Sequence, residues 1–258
     1  MSSRRTLVEL LLVVGVVGGG IALVMWLAAR GASRFTDSVP LEVDRTIGEQ
    51  ASRLVLATQA PCVDPGPKRY VEAIAAPLLK ALQDRSFEYH FVVVDDPAVN
   101  AFALPGGFVT VDFGLLKAAE SGEEVAAVLA HELHHVILRH GTRRILRELG
   151  ASTVLTAIFG GTAIAVPAGA AHDLASTAYD RGEESEADSR GLALLVRAGI
   201  DPHGMSSFFE RLAKLSPTPP ALLSTHPDPG DRAEAAARAA KGARVTTTLP
   251  SPRGLSCR

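Results

Sequence analysis

The stretch His131-Glu132-Leu133-His134-His135 constrains this chain more than any other. On an α-helix, His131 and His135 stand one turn apart on the same face. That spacing lets two imidazoles reach one tetrahedral ion, and H-E-x-x-H is the pattern by which a helix presents such a pair to zinc. Glu132 lies about 100° around the helix from His131. From there it can touch a water on the metal but is badly aimed to bind the metal itself, which is the place of a general base. The flanks predict the helix. Ser121 and Glu124 have the spacing of a capping box, and Val125, Val128, Leu129, Val136 and Ile137 fall at helical intervals. His134 is surplus to this geometry and is expected to face solvent or to bond behind the ligands.

Two histidines do not complete a zinc site, and a carboxylate on a second helix can supply the missing ligand. Residues 181–188 (RGEESEAD) open such a helix, which continues through Leu192 and Val196 to a C-terminal Gly199. Glu184 and Asp188 share one face. Asp188 is placed to hold a ligand histidine by its second nitrogen. The competing reading is an acidic, solvated first turn that complements the helix dipole, a role expected of Glu183 and Glu186.

The N-terminus is of another kind. Residues 7–29 contain a single charge, Glu9, and are long enough to span a bilayer with some tilt. Arg4 and Arg5 precede them, and no clean A-x-A site follows, so an uncleaved anchor is preferred to a signal peptide. The arginine pair favours an N-terminus inside and the remaining domain exported. The division expected is therefore an anchor over 1–30 and one domain over 31–258. A net charge of −2 and a pI near 6.4 give no bulk attraction for nucleic acid. The two cysteines, Cys62 and Cys257, lack metal-ligand spacing; in an exported domain they can pair, and otherwise they are independent thiols.

Between these landmarks the patterning predicts an α+β domain, mostly helical with a small sheet. An amphipathic helix starts at Leu41, residues 61–67 form a loop, and a helix over 68–83 is kinked or split by Pro77. Strands are expected at 87–95 and 108–112, with a short apolar piece at 101–104 and a sharp turn at 105–107. An edge of that sheet can lay an extended peptide across the metal, although a plain core hairpin fits the residues equally well. Arg139, Arg143, Arg144 and Arg147 are expected on a solvated helix face, and apolar residues 150–171 in a helix or helical hairpin packed near the active site. Asp201-Pro202 starts a helix that runs to Leu215, His226 sits in a proline-rich connection, and a last helix covers 230–241. The tail after Gly242 has no periodicity and is expected to be mobile.

Four segments, in order, resemble one family: residues 100–107 (NAFALPGG), the H-E-x-x-H, the E-x-x-A-D at Glu184 to Asp188, and Thr225-His226-Pro227. The chain is similar over roughly 41–241 to the HtpX-like and CaaX-prenyl-protease-like zinc metallopeptidases, with their BepA-like and Oma-like relatives. The resemblance implies a gluzincin-type fold and one zinc ion per chain, held by His131, His135 and Glu184. It makes Glu132 the base and puts Asn100, Ala101, Phe102 and Ala103 on the substrate side of the cleft. A protein or peptide substrate follows, in quality control of exported or membrane proteins. The alternative is a latent or chaperone-like binding module whose zinc is structural. Apart from the resemblance, the stiff proline-rich loop gives His226 three readings: it takes the fourth zinc position and keeps the enzyme latent, it donates to the oxyanion, a role Arg232 could also fill, or it merely caps the following helix.

Overall fold

The computed structural model describes Thr36 and residues 39–149, 179–215, 221–226 and 232–258. The expected anchor at 7–29 and the apolar segment at 150–171 lie outside them. Among the described residues, no helix is long and apolar enough to cross a membrane.

Helix α1 (Leu41–Thr58) buries Val43, Ile47, Ala51 and Val55, one stripe at helical spacing. Helix α2 (Gly66–Ala81) carries Pro67 in its first turn, where the missing N–H costs nothing. Pro77 does not split it: one helix runs through to Ala81. The carbonyl that Pro77 orphans belongs to Ala73, which is exposed and open to water.

The sheet has the order β1 (His90–Val94), β3 (Phe108–Asp112), β2 (Ala101–Leu104). The first strand is shorter than expected, and the apolar piece at 101–104 is a full strand. Strand β1 runs parallel to β3 with His90 opposite Phe108, and β2 runs antiparallel with Ala101 opposite Val111. The turn between β2 and β3 needs Gly106 (φ 75°) and Gly107 (φ 101°), and a Cβ on Gly107 would lie 2.0 Å from the Glu88 carbonyl. Strand β2 is buried on both faces. Ala101 and Ala103 join the main core, whereas Phe102 and Leu104 join a smaller one under α1 with Ile145 and Leu146.

Helix α3 (Phe113–Ala118) leads into α4 (Gly122–Ile137), the helix of the histidine motif, which is buried on nearly every side. Ser121 caps α4 by accepting from the Glu124 N–H at 3.3 Å. The capping box is incomplete, because the Glu124 carboxylate instead accepts from the Glu120 N–H and pairs with Arg211. Helix α5 (His140–Leu149) follows at once, then α6 (Arg181–Arg197), which packs along α4, α7 (His203–Leu215), α8 (Ala221–Thr225) and α9 (Arg232–Ala240). Gly199 takes φ 68° after α6, as its place in the sequence predicts.

Three expectations are corrected. The arginines of 139–147 do not share a solvated face: Arg144 is buried, Arg139 pairs with buried Asp44, and Arg147 reaches Glu183. Glu183 is itself buried, completing a capping box with Asp180, while Glu186 stays partly exposed and pairs with Arg190. The tail is fastened rather than loose. The Thr246 and Thr247 N–H groups donate to the Gly199 carbonyl, Tyr70 Oη donates to the Pro250 carbonyl, and Cys62 forms a disulfide with Cys257.

Candidate metal centre

Helices α4 and α6 cross closely because Gly191 has no side chain: a Cβ there would lie 3.3 Å from the His131 nitrogen. The crossing sets Glu184 against the histidine pair. Its Oε2 is 3.5 Å from His131 Nε2 and its Oε1 3.4 Å from His135 Nε2. His131 and His135 bring their Nε2 atoms to 2.8 Å of each other. His226, just after α8, adds a fourth donor with Nδ1 3.0 Å from Glu184 Oε1 and 3.1 Å from His131 Nε2. One donor atom from each of these four residues lies within 4.8 Å of the others, and all four residues are buried.

The surroundings fix the donors. His131 Nδ1 is 2.8 Å from Asp188 Oδ1, so Nδ1–H donates to the carboxylate and Nε2 is the atom turned inward. Arg232 Nε donates to the other Asp188 oxygen at 2.8 Å, and its guanidinium stacks on Phe209 at 3.8 Å. Behind His135, His140 brings Nδ1 within 2.8 Å of His135 Nδ1, and Tyr179 stacks on the ring at 4.0 Å.

These residues fit a cation. The Nε2 atoms of two imidazoles converge beside a carboxylate whose Oε2 has no hydrogen-bond partner among the described residues. A mixed nitrogen and oxygen set of three or four such donors suits zinc. The electrostatics agree. Burial opposes a charged His131, yet the Glu184 and Asp188 carboxylates hold its pKa up at about 10. Burial would raise Glu184, but His131, His135 and His226 hold it well below the usual carboxylate range. The pocket therefore draws in positive charge.

Glu132 is fully buried; neither oxygen has a hydrogen-bond partner among the described residues, and Oε1 lies 3.3 Å from His226 Nε2. Burial pushes its pKa up, against the pull of His226 and His131. The Ala103 N–H on β2 faces it as well. Of the other residues expected to meet substrate, Ala101 and Phe102 are taken up by the two cores. Asn100 instead accepts from Thr225 Oγ1 at 3.4 Å, and the Leu222 N–H donates to the Val99 carbonyl, so the start of β2 anchors the helix that presents His226.

His134 is not in solvent. It is buried and donates from Nδ1 to the Ala130 carbonyl at 2.7 Å, behind the ligands. Burial lowers its pKa to about 4. Sequence reasoning missed His140 and Tyr179. His140 falls off the helical repeat of α4, because the chain reverses at Arg139 with φ 56°, and no pattern signals a left-handed arginine.

A model of peptidase family M48 matches residues 65–240. A Vibrio cholerae protein whose name also refers to beta-barrel assembly is 35% identical over 209 residues, 74% of this chain and 43% of its own length. The beta-barrel assembly-enhancing protease of Escherichia coli K12 is 31% identical over 194 residues, 69% of this chain and 40% of its own. The mitochondrial metalloendopeptidase OMA1 of Arabidopsis thaliana is 35% identical over 162 residues, 58% of this chain and 31% of its own. The chain thus spans less than half the length of each of these relatives.

Proposed function

The chain belongs to peptidase family M48, and from that premise we propose that it is a zinc-dependent metalloendopeptidase acting on exported or membrane proteins. The observation that carries this reading is the convergence of His131, His135 and Glu184 beside a buried Glu132 that has no hydrogen-bond partner among the described residues. His131, His135 and Glu184 would hold one zinc ion. Bound there, zinc would supply the Lewis acidity that polarises a water and the scissile carbonyl. Glu132 takes the proton as the water attacks and passes it to the leaving amine; its raised proton affinity and its 0% exposure suit that task. Asp188 keeps His131 in its donor tautomer, and Arg232 keeps Asp188 ionised and in place. A peptide laid beside β2 would pass the Ala103 N–H, the edge of the sheet nearest Glu132.

His226 has two candidate roles. It is near enough to join the donor set, which holds the enzyme latent, and its Nε2 faces the reacting centre, where it can donate to the oxyanion once displaced. The segment at 7–29 supplies the membrane anchor in this reading, with the peptidase domain on the exported side.

The test has two parts. Purified protein should contain close to one zinc per chain, and Glu184→Ala should lower zinc affinity sharply. Glu132→Gln should keep zinc and fold while turnover drops by about 10²–10⁴-fold. Activity of Glu132→Gln within about tenfold of wild type would remove Glu132 from the role of base. His226→Ala separates its two roles: faster cleavage means latency, and a loss of about 10²-fold means oxyanion support.

A further inference from the structure

His140 lies outside the H-E-x-x-H and E-x-x-A-D motifs, yet it is completely buried against a proposed ligand. We propose that His140 is a positioning residue that locks His135 in the tautomer and ring plane required for zinc, through one proton held between their two Nδ1 atoms. The inference rests on the zinc reading above and adds a residue to it.

The geometry leaves little freedom. His135 Nδ1 and His140 Nδ1 lie 2.8 Å apart on the side of the His135 ring opposite the donor cluster, where no cation comes between them, so they share one proton: two lone pairs repel and two N–H groups collide. His135 turns its Nε2 into the donor cluster, 2.8 Å from His131 Nε2 and 3.4 Å from Glu184 Oε1. A neutral imidazole has one proton. For Nε2 to offer its lone pair, that proton must sit on Nδ1. His135 therefore donates from Nδ1, and His140 accepts at its own Nδ1. The proton of His140 then belongs on Nε2. That atom is buried, has no hydrogen-bond partner among the described residues, and lies 3.9 Å from Glu186 Oε2, whose negative charge favours an N–H there. The two ligand histidines are thus supported differently: His131 by a carboxylate, His135 by a neutral imidazole.

Two further contacts complete the device. Tyr179 stacks on His135 with ring centroids 4.0 Å apart and planes 17° apart, which fixes the direction of the Nε2 lone pair. His140 is delivered by the left-handed turn at Arg139. Asp44 on α1 holds that turn by accepting from Arg139 and from Thr142 Oγ1, and Arg139 Nη1 donates to the Thr36 carbonyl at 2.6 Å. The Asp44 carboxylate thus ties the residues on both sides of His140, Arg139 and Thr142, to α1.

The experiment uses zinc-loaded full-length protein labelled with ¹⁵N-histidine. Long-range proton–nitrogen spectra should show His135 protonated at Nδ1 and His140 protonated at Nε2. Zinc affinity, read by chelator competition, should fall about 10–100-fold in His140→Leu. His140→Asn places an Oδ1 where the imidazole holds Nδ1 and should recover affinity to within roughly threefold of wild type. A purely space-filling role predicts the reverse order, with Leu tolerated better than Asn. The inference is overturned by wild-type affinity in His140→Leu, by failure of Asn to rescue, or by His135 coordinated through Nδ1. The wild-type spectrum decides the tautomer even where a variant fails to fold. Wild-type protein that takes up no zinc overturns the zinc reading itself, an outcome distinct from all of these.

Discussion

Asp112 ends β3 with a carboxyl group that is 2% exposed and whose Oδ1 finds no donor among the described residues. Burial, and then the charge of Asp96, push its pKa up to about 7. The folded chain therefore binds this proton more tightly than the unfolded chain, where the value is about 3.9. The contribution to stability is complete below about pH 4 and is lost as pH rises through 7. It amounts to no more than about 4 kcal/mol. Asp112→Asn removes the titration and should stabilise the fold most at pH 8, with a gain that shrinks steadily toward pH 5. Urea melts of both proteins at several pH values measure this, and a difference independent of pH would show that the group does not titrate in that range. At the residue scale the sequence was most legible where chemistry repeats a pattern. His131, Glu132, His135, Glu184 and Asp188 stand at helical spacing, and all five meet in the centre. Asp112 and Tyr179 acquire their character from neighbours distant in sequence, and His140 meets His135 only because the chain turns at Arg139, so no local pattern marks them.

The crossing of α4 over α6 is the element on which the centre depends. A Cβ at Gly191 would lie 3.3 Å from the His131 nitrogen and 3.4 Å from the Ala130 carbonyl carbon, so a larger side chain must force the helices apart. Gly191→Val should cost about 1–3 kcal/mol of stability through overpacking. Because Glu184 rides on the displaced helix, zinc affinity should fall as well, by at least about tenfold on the scale of ligand misplacement. Leu212→Ala is the control: it empties a buried site on α7, costs about 2–5 kcal/mol, and leaves the crossing alone. Equal zinc affinity in the two variants would mean that general destabilisation, not the crossing, governs the site. A lone glycine inside a helical pattern gives no sign of which neighbour it admits, so this contact was not legible. The helices themselves were, from apolar spacing and from caps such as Ser121. The 139–147 segment misled because four arginines look solvated until Asp44 and Glu183 arrive from elsewhere in the chain. The tail misled for a related reason: its partners are Gly199, Tyr70 and Cys62, and extended chain held by such contacts has no period to detect.

At the scale of the whole molecule, the Cys62–Cys257 disulfide closes a loop of 195 residues around almost everything described. The chain-entropy model credits a loop of that length with about 5 kcal/mol, and native bonds of this kind commonly cost 2–5 kcal/mol to remove. Cys257 also brings its carbonyl to the Val63 N–H at 2.9 Å, so the bond is the last of several contacts that strap the tail across the domain. Such a bond persists in oxidising compartments and is kept reduced in the cytosol. It therefore bears on the orientation proposed for the anchor at 7–29, where Arg4 and Arg5 favour an N-terminus inside. With the domain exported, Cys62 and Cys257 should resist a bulky maleimide in denatured extracts of freshly quenched cells, and both should react after reductant. Cys62→Ala should then expose a single reactive thiol and lower the melting temperature by several degrees, at about 2–4 °C per kcal/mol for a domain of this size. Free labelling of both cysteines without reductant would put the domain on the reducing side and reverse the proposed topology. A lower melting temperature in Cys62→Ala alone would not rescue the exported orientation, because loss of the bond in purified, air-oxidised protein reports on the fold and not on the compartment.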